Sequence, residues 1–250
     1  MEIISSRNNK KITEAIKLKD KKTRDKSNLF CFEGYKLFCE ALSAGIVFSD
    51  IFVSEKYMKT HTMPDGVIFT HVTDGVYEKL SDDKAPDGIF CVALKPDISP
   101  KNEKRFIACS LSDPGNVGTL IRTAAAFGVG ELILCDNCAD PFSPKSVRSS
   151  MGAVFKVGIK ISDSKNAIDN LKKNGYNLCA AALTPSAVDL RKINIDCKTC
   201  FVIGNEGHGL SEETISLCDM PVIIPMDENT ESLNAASAAT VLMWELSKNG

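Results

Sequence analysis

From Phe106 onward, short apolar runs alternate with helical patterns, and this alternation leaves few folds open. Strands are expected at Phe106–Ser110, Glu131–Leu134, Leu178–Ala182, Phe201–Ile203 and Val222–Ile224, and helices at about 117–127, 144–150, 165–174, 211–217 and 232–247. Runs this short and apolar, interleaved with helices, predict a parallel sheet covered on both faces, an α/β fold.

The upstream sequence reads differently. Lys95-Pro96-Asp97-Ile98-Ser99-Pro100-Lys101-Asn102-Glu103-Lys104 is polar, holds two prolines and has no periodicity, which marks a linker. The expected division is a small α/β domain over 1–95, a linker over 96–104 and a larger domain over 105–250. In the first domain, strands are expected at Leu29–Glu33, Ile51–Val53, Val67–Val72 and Gly88–Ala93, with a helix over Glu33–Ala44 stopped by Gly45. A length of 250 residues suits one large or two ordinary domains.

Net charge is −2, but residues 1–26 carry nine Lys/Arg against four acids. A local basic face of this kind can bind phosphates on an otherwise acidic molecule, or be a solvated helix face. No run of about 18 apolar residues exists, so no membrane span is expected. Met1–Arg7 has no apolar signal core, and a cytoplasmic protein is expected. Ten cysteines include the C-x-x-C pairs Cys135/Cys138 and Cys197/Cys200. If the flanking strands are parallel, these pairs lie at opposite edges of the sheet, so free thiols rather than a four-cysteine metal site are expected.

Three polar segments sit between glycines and strands. Asp113-Pro114-Gly115-Asn116-Val117-Gly118-Thr119-Leu120-Ile121-Arg122 delivers Asn116, a candidate N-cap, to a helix start and sets Arg122 one turn beyond Gly118. Ile203-Gly204-Asn205-Glu206-Gly207-His208-Gly209-Leu210-Ser211 follows a strand. Its G-x-x-G-x-G order differs from the dinucleotide loop G-x-G-x-x-G, and Glu206 would repel a pyrophosphate. Ile224-Pro225-Met226 and Glu231-Ser232-Leu233-Asn234 lead into the alanine-rich run Ala235–Ala239, with Ser232 a candidate N-cap. A helix of small residues also suits a subunit interface. A fourth stretch, Asp140–Ala153, places Lys145 and Arg148 one turn apart, a spacing that fits RNA phosphate, with Pro144 at the helix start.

Together the first three segments resemble the three motifs of the SpoU (TrmH-type) family of RNA ribose 2′-O-methyltransferases. Arg24, Phe32-Glu33-Gly34, Leu80-Ser81-Asp82 and Pro86-x-Gly88-Ile89 look like the L30e-like substrate-binding domain that often precedes the catalytic domain there. The resemblance implies a SPOUT α/β fold with a trefoil knot, a homodimer, no metal, S-adenosylmethionine as cofactor, and ribosomal RNA as partner. A transfer-RNA substrate, or a non-catalytic RNA-binding or ribosome-assembly factor on the same scaffold, are the alternatives.

By the same resemblance, Asn116, Arg122, Glu206, Ser232 and Asn234 are catalytic. Ala182, Leu183, Gly204, Asn205, Gly207, Ile224, Pro225, Met226, Ser232 and Leu233 line the cofactor site. Arg7, Lys10, Lys22, Arg24, Lys145 and Arg148 are the candidate RNA contacts. Methylating a ribose hydroxyl requires a positioned donor, an aimed 2′-oxygen and an exit for its proton. The family's first-motif arginine is proposed as the base. A guanidinium is a poor proton acceptor whose planar fork suits phosphate, so Arg122 acts either as base or as a clamp on phosphate and developing oxyanion charge. Asp227-Glu228-Asn229 departs from the resemblance, standing where the family often has a glycine-containing spacer.

Overall fold

The computed structural model describes residues 3–205, 207–227 and 232–248. The chain forms two compact units, one of residues 1–96 and 142–155, the other of 97–141 and 156–250. Among the described residues, no helix is long and apolar enough to cross a membrane.

The first unit runs α1 (Lys10–Lys17), α2 (Lys21–Ser27), β1 (Leu29–Glu33), α3 (Tyr35–Ser43), β2 (Phe48–Ser54), α4 (Glu55–Thr60), β3 (Thr70–Val72), α5 (Asp74–Leu80) and β4 (Ile89–Leu94). Its sheet has the order β1-β4-β2-β3, with β4 antiparallel to both neighbours and β2 parallel to β3. Alternate residues Cys31, Phe52, Phe90 and Val92 pack with Ile12 and Ala15 of α1 and Val76, Tyr77 and Leu80 of α5. The amphipathic basic segment is therefore anchored by its apolar face.

The second unit runs β5 (Arg105–Cys109), α6 (Pro114–Ala126) and β6 (Glu131–Cys135). The chain then makes α7 (Pro144–Ser150) within the first unit and returns as β7 (Gly158–Ser162), α8 (Ser164–Lys173), β8 (Asn177–Ala181), β9 (Val188–Asp189), β10 (Thr199–Ile203), α9 (Glu212–Leu217), β11 (Met220–Ile223) and α10 (Ala235–Ser247). Seven strands in the order β7-β6-β5-β10-β8-β11-β9 pair in parallel throughout. Ile107, Ile133, Leu178 and Val202 pack with Ile168 and Leu171 of α8. Leu242 and Met243 of α10 are fully buried, as are Leu120 and Ile121 of α6, and α6 and α10 pack together. Each such side chain contributes roughly 1.5–3 kcal/mol by leaving water.

Local chemistry moves several expected boundaries. Asp113, not Asn116, caps α6: its carboxylate accepts from the Asn116 N–H at 3.0 Å, and Pro114 at the first helical position fixes the entry, so the helix starts three residues early. Asn234, not Ser232, caps α10, accepting from the N–H groups of Ala236 and Ser237. The alanines at 235, 236 and 239 are buried within their own unit, so that small-residue face is not free for a subunit interface. Strand β7 went unseen because it is largely exposed, Ile161 at 65%. Residues 142–155, expected in the second domain, pack instead on β1: the Phe142 ring lies 5.3 Å from Phe30, and Phe155 5.2 Å from Phe32.

Candidate active site

Because all the strands of the larger sheet are parallel, their C-terminal ends lie along one edge, where open α/β sheets bind ligands. The ends of β8, β10 and β11 surround a cavity of about 410 Å³. Ala181, Ile203, Leu210 and Val222 supply apolar wall, and Gly204, Asn205, Gly207, His208 and Gly209 supply the rim.

That rim folds back on itself. The Asn205 and Gly209 backbones exchange two hydrogen bonds, at 3.0 and 2.9 Å. A Cβ on Gly204 would stand 2.1 Å from the Gly209 carbonyl carbon, so only glycine fits there. The Asn205 side chain locks the turn. Its Oδ1 accepts from the Gly207 N–H at 2.8 Å and the His208 N–H at 3.3 Å, while its Nδ2 donates to the Ser110 carbonyl at 2.8 Å. This last bond ties the glycine loop to the end of β5, three residues before the cap of α6. The first and second sequence motifs are thereby held as one piece.

Ser110 is itself pinned. Its backbone is left-handed, φ 57°, its N–H donates to the Cys135 carbonyl and its hydroxyl donates to the Asp136 carbonyl at 2.8 Å. The next residue, Leu111, donates its N–H to the Cys138 sulfur, whose thiol donates to the Ala108 carbonyl, both at 3.3 Å. Burial pushes the Cys138 thiol up to about 11, which keeps it a protonated donor at neutral pH. Asp136 and Asn137 make the intervening turn with positive φ, a conformation Asp and Asn tolerate. The first C-x-x-C pair is thus a turn that positions the α6 entry. The two pairs lie at opposite ends of the sheet: Cys135 closes its strand level with Cys109, whereas Cys200 pairs with Arg105 at the start of β5. Among the described residues no group of three His, Cys, Asp or Glu side chains is placed to hold a metal.

Of the expected cofactor residues, Ala182, Leu183, Gly204, Asn205, Gly207, Ile224, Met226, Ser232 and Leu233 line the cavity, and Pro225 does not. Pro225 is exposed. Of the expected catalytic residues, Ser232 lines it; Asn234 caps α10 beside it; Glu206 lies outside the described residues. Arg122 lies on α6 with its side chain exposed, outside the cavity wall, and makes no hydrogen bond or ion pair with a described residue. Asn116 sits at the third helical position. Sequence reasoning missed Ser110, Asp113, Asp136 and Cys138. Only Asp113, three residues before Asn116 and next to a proline, carried a readable capping signal.

The expected RNA contacts fare unevenly. Arg24 is corrected: it is 2% exposed, and its Nη1 donates to the Leu18 and Lys19 carbonyls at 2.8 and 2.7 Å, joining α1 to α2. A guanidinium so enclosed offers no face to a phosphate. Arg7 donates to the Gly75 carbonyl at 2.7 Å and pairs with Glu78, and Arg148 pairs with Glu33 at 3.1 Å. Lys10, Lys22 and Lys145 are exposed.

A family model described as "SpoU rRNA Methylase family" matches residues 103–244, and one described as "MRM3-like substrate binding domain" matches 9–91. The chain is 29% identical to the Bacillus subtilis protein named 23S rRNA (guanosine(2553)-2′-O)-methyltransferase RlmP, over 98% of this chain and 99% of that one. It is 30% identical to an uncharacterized tRNA/rRNA methyltransferase of Synechocystis over 97% of this chain and 92% of that one. The crystal structure of an AdoMet-bound rRNA methyltransferase from Sinorhizobium meliloti superposes with a TM-score of 0.86 at 28% identity, covering 99% of this chain and 97% of that one.

Proposed function

This chain belongs to the SpoU rRNA methylase family, and from that premise we propose that it transfers a methyl group from S-adenosylmethionine to a ribose 2′-hydroxyl of 23S ribosomal RNA. The observation that carries the reading is the cavity at the ends of β8, β10 and β11, tied to the Arg122 helix through Asn205 and Ser110. Its volume falls within the roughly 300–1,000 Å³ range of small-molecule sites. Its walls suit the donor: small residues at Ala181, Ala182, Gly204, Ala235 and Ala238 leave room, Ile203, Leu210, Val222 and Ile224 offer apolar surface to an adenine, and backbone groups at the strand ends offer polar partners.

S-adenosylmethionine supplies a methyl on a sulfonium, a leaving group needing no protonation. The protein's part is placement. The locked 204–210 turn and the 222–226 and 232–235 segments hold the donor. Ser232 at the cavity edge and Asn234 beside it offer a hydroxyl and an amide to the reacting ribose. Arg122, free of any described carboxylate, takes the phosphate next to that ribose and stabilises charge developing on the 2′-oxygen. A preorganised donor of this kind is worth roughly a hundred- to a thousandfold in rate.

The division of labour, RNA recognition by the unit of 1–96 and 142–155 and catalysis by the unit of 97–141 and 156–250, belongs to this reading, as do the trefoil knot around the donor, a cytoplasmic location beside the ribosome, and a homodimer. A dimer is supported by Trp244, 51% exposed on α10 with its ring 5.6 Å from Phe127. Calorimetry with S-adenosylmethionine tests the reading first. Binding at a 1:1 ratio that is lost on blocking the cavity is expected; a protein that binds 23S RNA but no donor would instead be an assembly factor.

A further inference from the structure

The first unit carries an open recess of about 800 Å³ between the start of α3 and the end of α4, with Tyr35, Lys36, Tyr57, Lys59, His61 and Asp87 among its walls. The His61 imidazole lies flat on the Tyr57 ring, centroids 4.6 Å apart and planes 16° apart. The Tyr35 ring stands 6.3 Å from Tyr57. Tyr57 is 4% exposed, whereas Tyr35 is 45% exposed and His61 is also open to solvent. The buried ring therefore backs the imidazole and leaves its other face open. The Thr60 hydroxyl, 2.8 Å from His61 Nδ1, fixes the rotation of that ring.

The charges around this face are asymmetric. Lys36 and Lys59 are exposed and make no ion pair with a described residue. The one carboxylate in the wall, Asp87, accepts from the Tyr35 N–H at 3.2 Å and so caps the start of α3. A flat π face with a rigid backing, a second ring beside it and free ammonium groups at the rim is the combination that holds an unpaired nucleotide. The rings take any base by its face, and the ammoniums take phosphate as point charges.

We infer that this recess is a stacking platform for an unpaired nucleotide of the RNA substrate, its base on the open face of His61 beside Tyr35 and its phosphates on Lys36 and Lys59. The inference rests on the RNA methyltransferase reading above and adds to it a place where the first unit grips single-stranded RNA. It explains why two aromatic side chains stay exposed at a position where neither serves the core.

The test uses the full-length protein and a fluorescein-labelled single-stranded oligonucleotide, with the matching duplex as control. The Tyr35→Ala/His61→Ala variant should bind the single strand roughly tenfold more weakly, the scale of losing a stacked base, and bind the duplex and S-adenosylmethionine as the wild type does. His61→Phe keeps the flat face and should retain most of the affinity. Lys36→Gln/Lys59→Gln should lower the slope of log affinity against log salt by about 0.7 per charge removed. Wild-type affinity for the single strand in the double alanine variant overturns the platform, as does a loss seen on ribosomal subunits but not on naked RNA, which would assign the recess to a protein. Unchanged stacking variants in a protein that still methylates ribose remove the platform alone. A wild-type protein with no RNA affinity removes the methyltransferase reading with it.

Discussion

Arg24 and Arg122 both stand out in the sequence as cations suited to phosphate, and the fold treats them oppositely. Arg24 is buried and spends its guanidinium on the carbonyls of Leu18 and Lys19. Arg122 is exposed and makes no bond to a described residue. The contrast extends to the units that hold them. In the first unit much of the positive charge is consumed internally: Lys11 by Asp50, Lys19 by Asp82, Lys21 and Lys95 by Asp25, and Arg148 by Glu33. In the second, polar side chains at the sheet edge hold backbone in place and leave one arginine uncommitted. An excess of lysine and arginine in a sequence thus measures what a segment could bind, not what it leaves available.

The largest effect expected from breaking this contrast is at Gly204. Gly204→Ala drives a Cβ into the Gly209 backbone. Overpacking costs roughly 1–3 kcal/mol, and here it falls on the cavity rim, so donor affinity by calorimetry should drop about ten- to a hundredfold. RNA affinity should hold. Arg24→Met should do the reverse: unfolding in urea should show the protein weakened by roughly 2–3 kcal/mol, since a buried and a half-buried carbonyl lose a charged donor, while Lys22→Met should shift stability by less than about 0.5 kcal/mol. Arg24→Met leaving stability unchanged would mean that Arg24 is not the joint between α1 and α2. A smaller loss of donor affinity than that of Gly204→Ala is expected of Asn205→Asp, which keeps the acceptor for Gly207 and His208 but turns a carboxylate oxygen toward the Ser110 carbonyl. Donor affinity should fall by roughly fivefold, about 1 kcal/mol.

The legibility of this molecule in its sequence follows burial. Central strands such as Phe106–Ser110 and Phe201–Ile203 read clearly because both faces are covered, and their observed bounds differ from expectation by one or two residues. β7, an exposed edge strand, and β9, two residues long, offered no apolar run. The cavity wall was legible through the family resemblance of its motifs, within which the glycines of 204–209 mark a close backbone approach. What joins the motifs was not: a serine with left-handed backbone, a thiol bonded to a turn and an asparagine spanning two loops depend on contacts distant in sequence. Ser110 and Asn205 are 95 residues apart. The excursion of 142–155 into the first unit was hidden likewise, since nothing local to Phe142 and Phe155 says that their rings pack on Phe30 and Phe32.

The central claim is that the donor cavity and Arg122 together methylate a ribose. Its most direct measurement is mapping 2′-O-methyl groups on unmodified 23S ribosomal RNA after incubation with purified protein and S-adenosylmethionine, the wild type beside Arg122→Ala. One new ribose methyl with the wild type is predicted, with the rate roughly a hundredfold or more lower in Arg122→Ala and donor affinity unchanged between the two. Methylation of a base, or ribose methylation at the wild-type rate in Arg122→Ala, would contradict it.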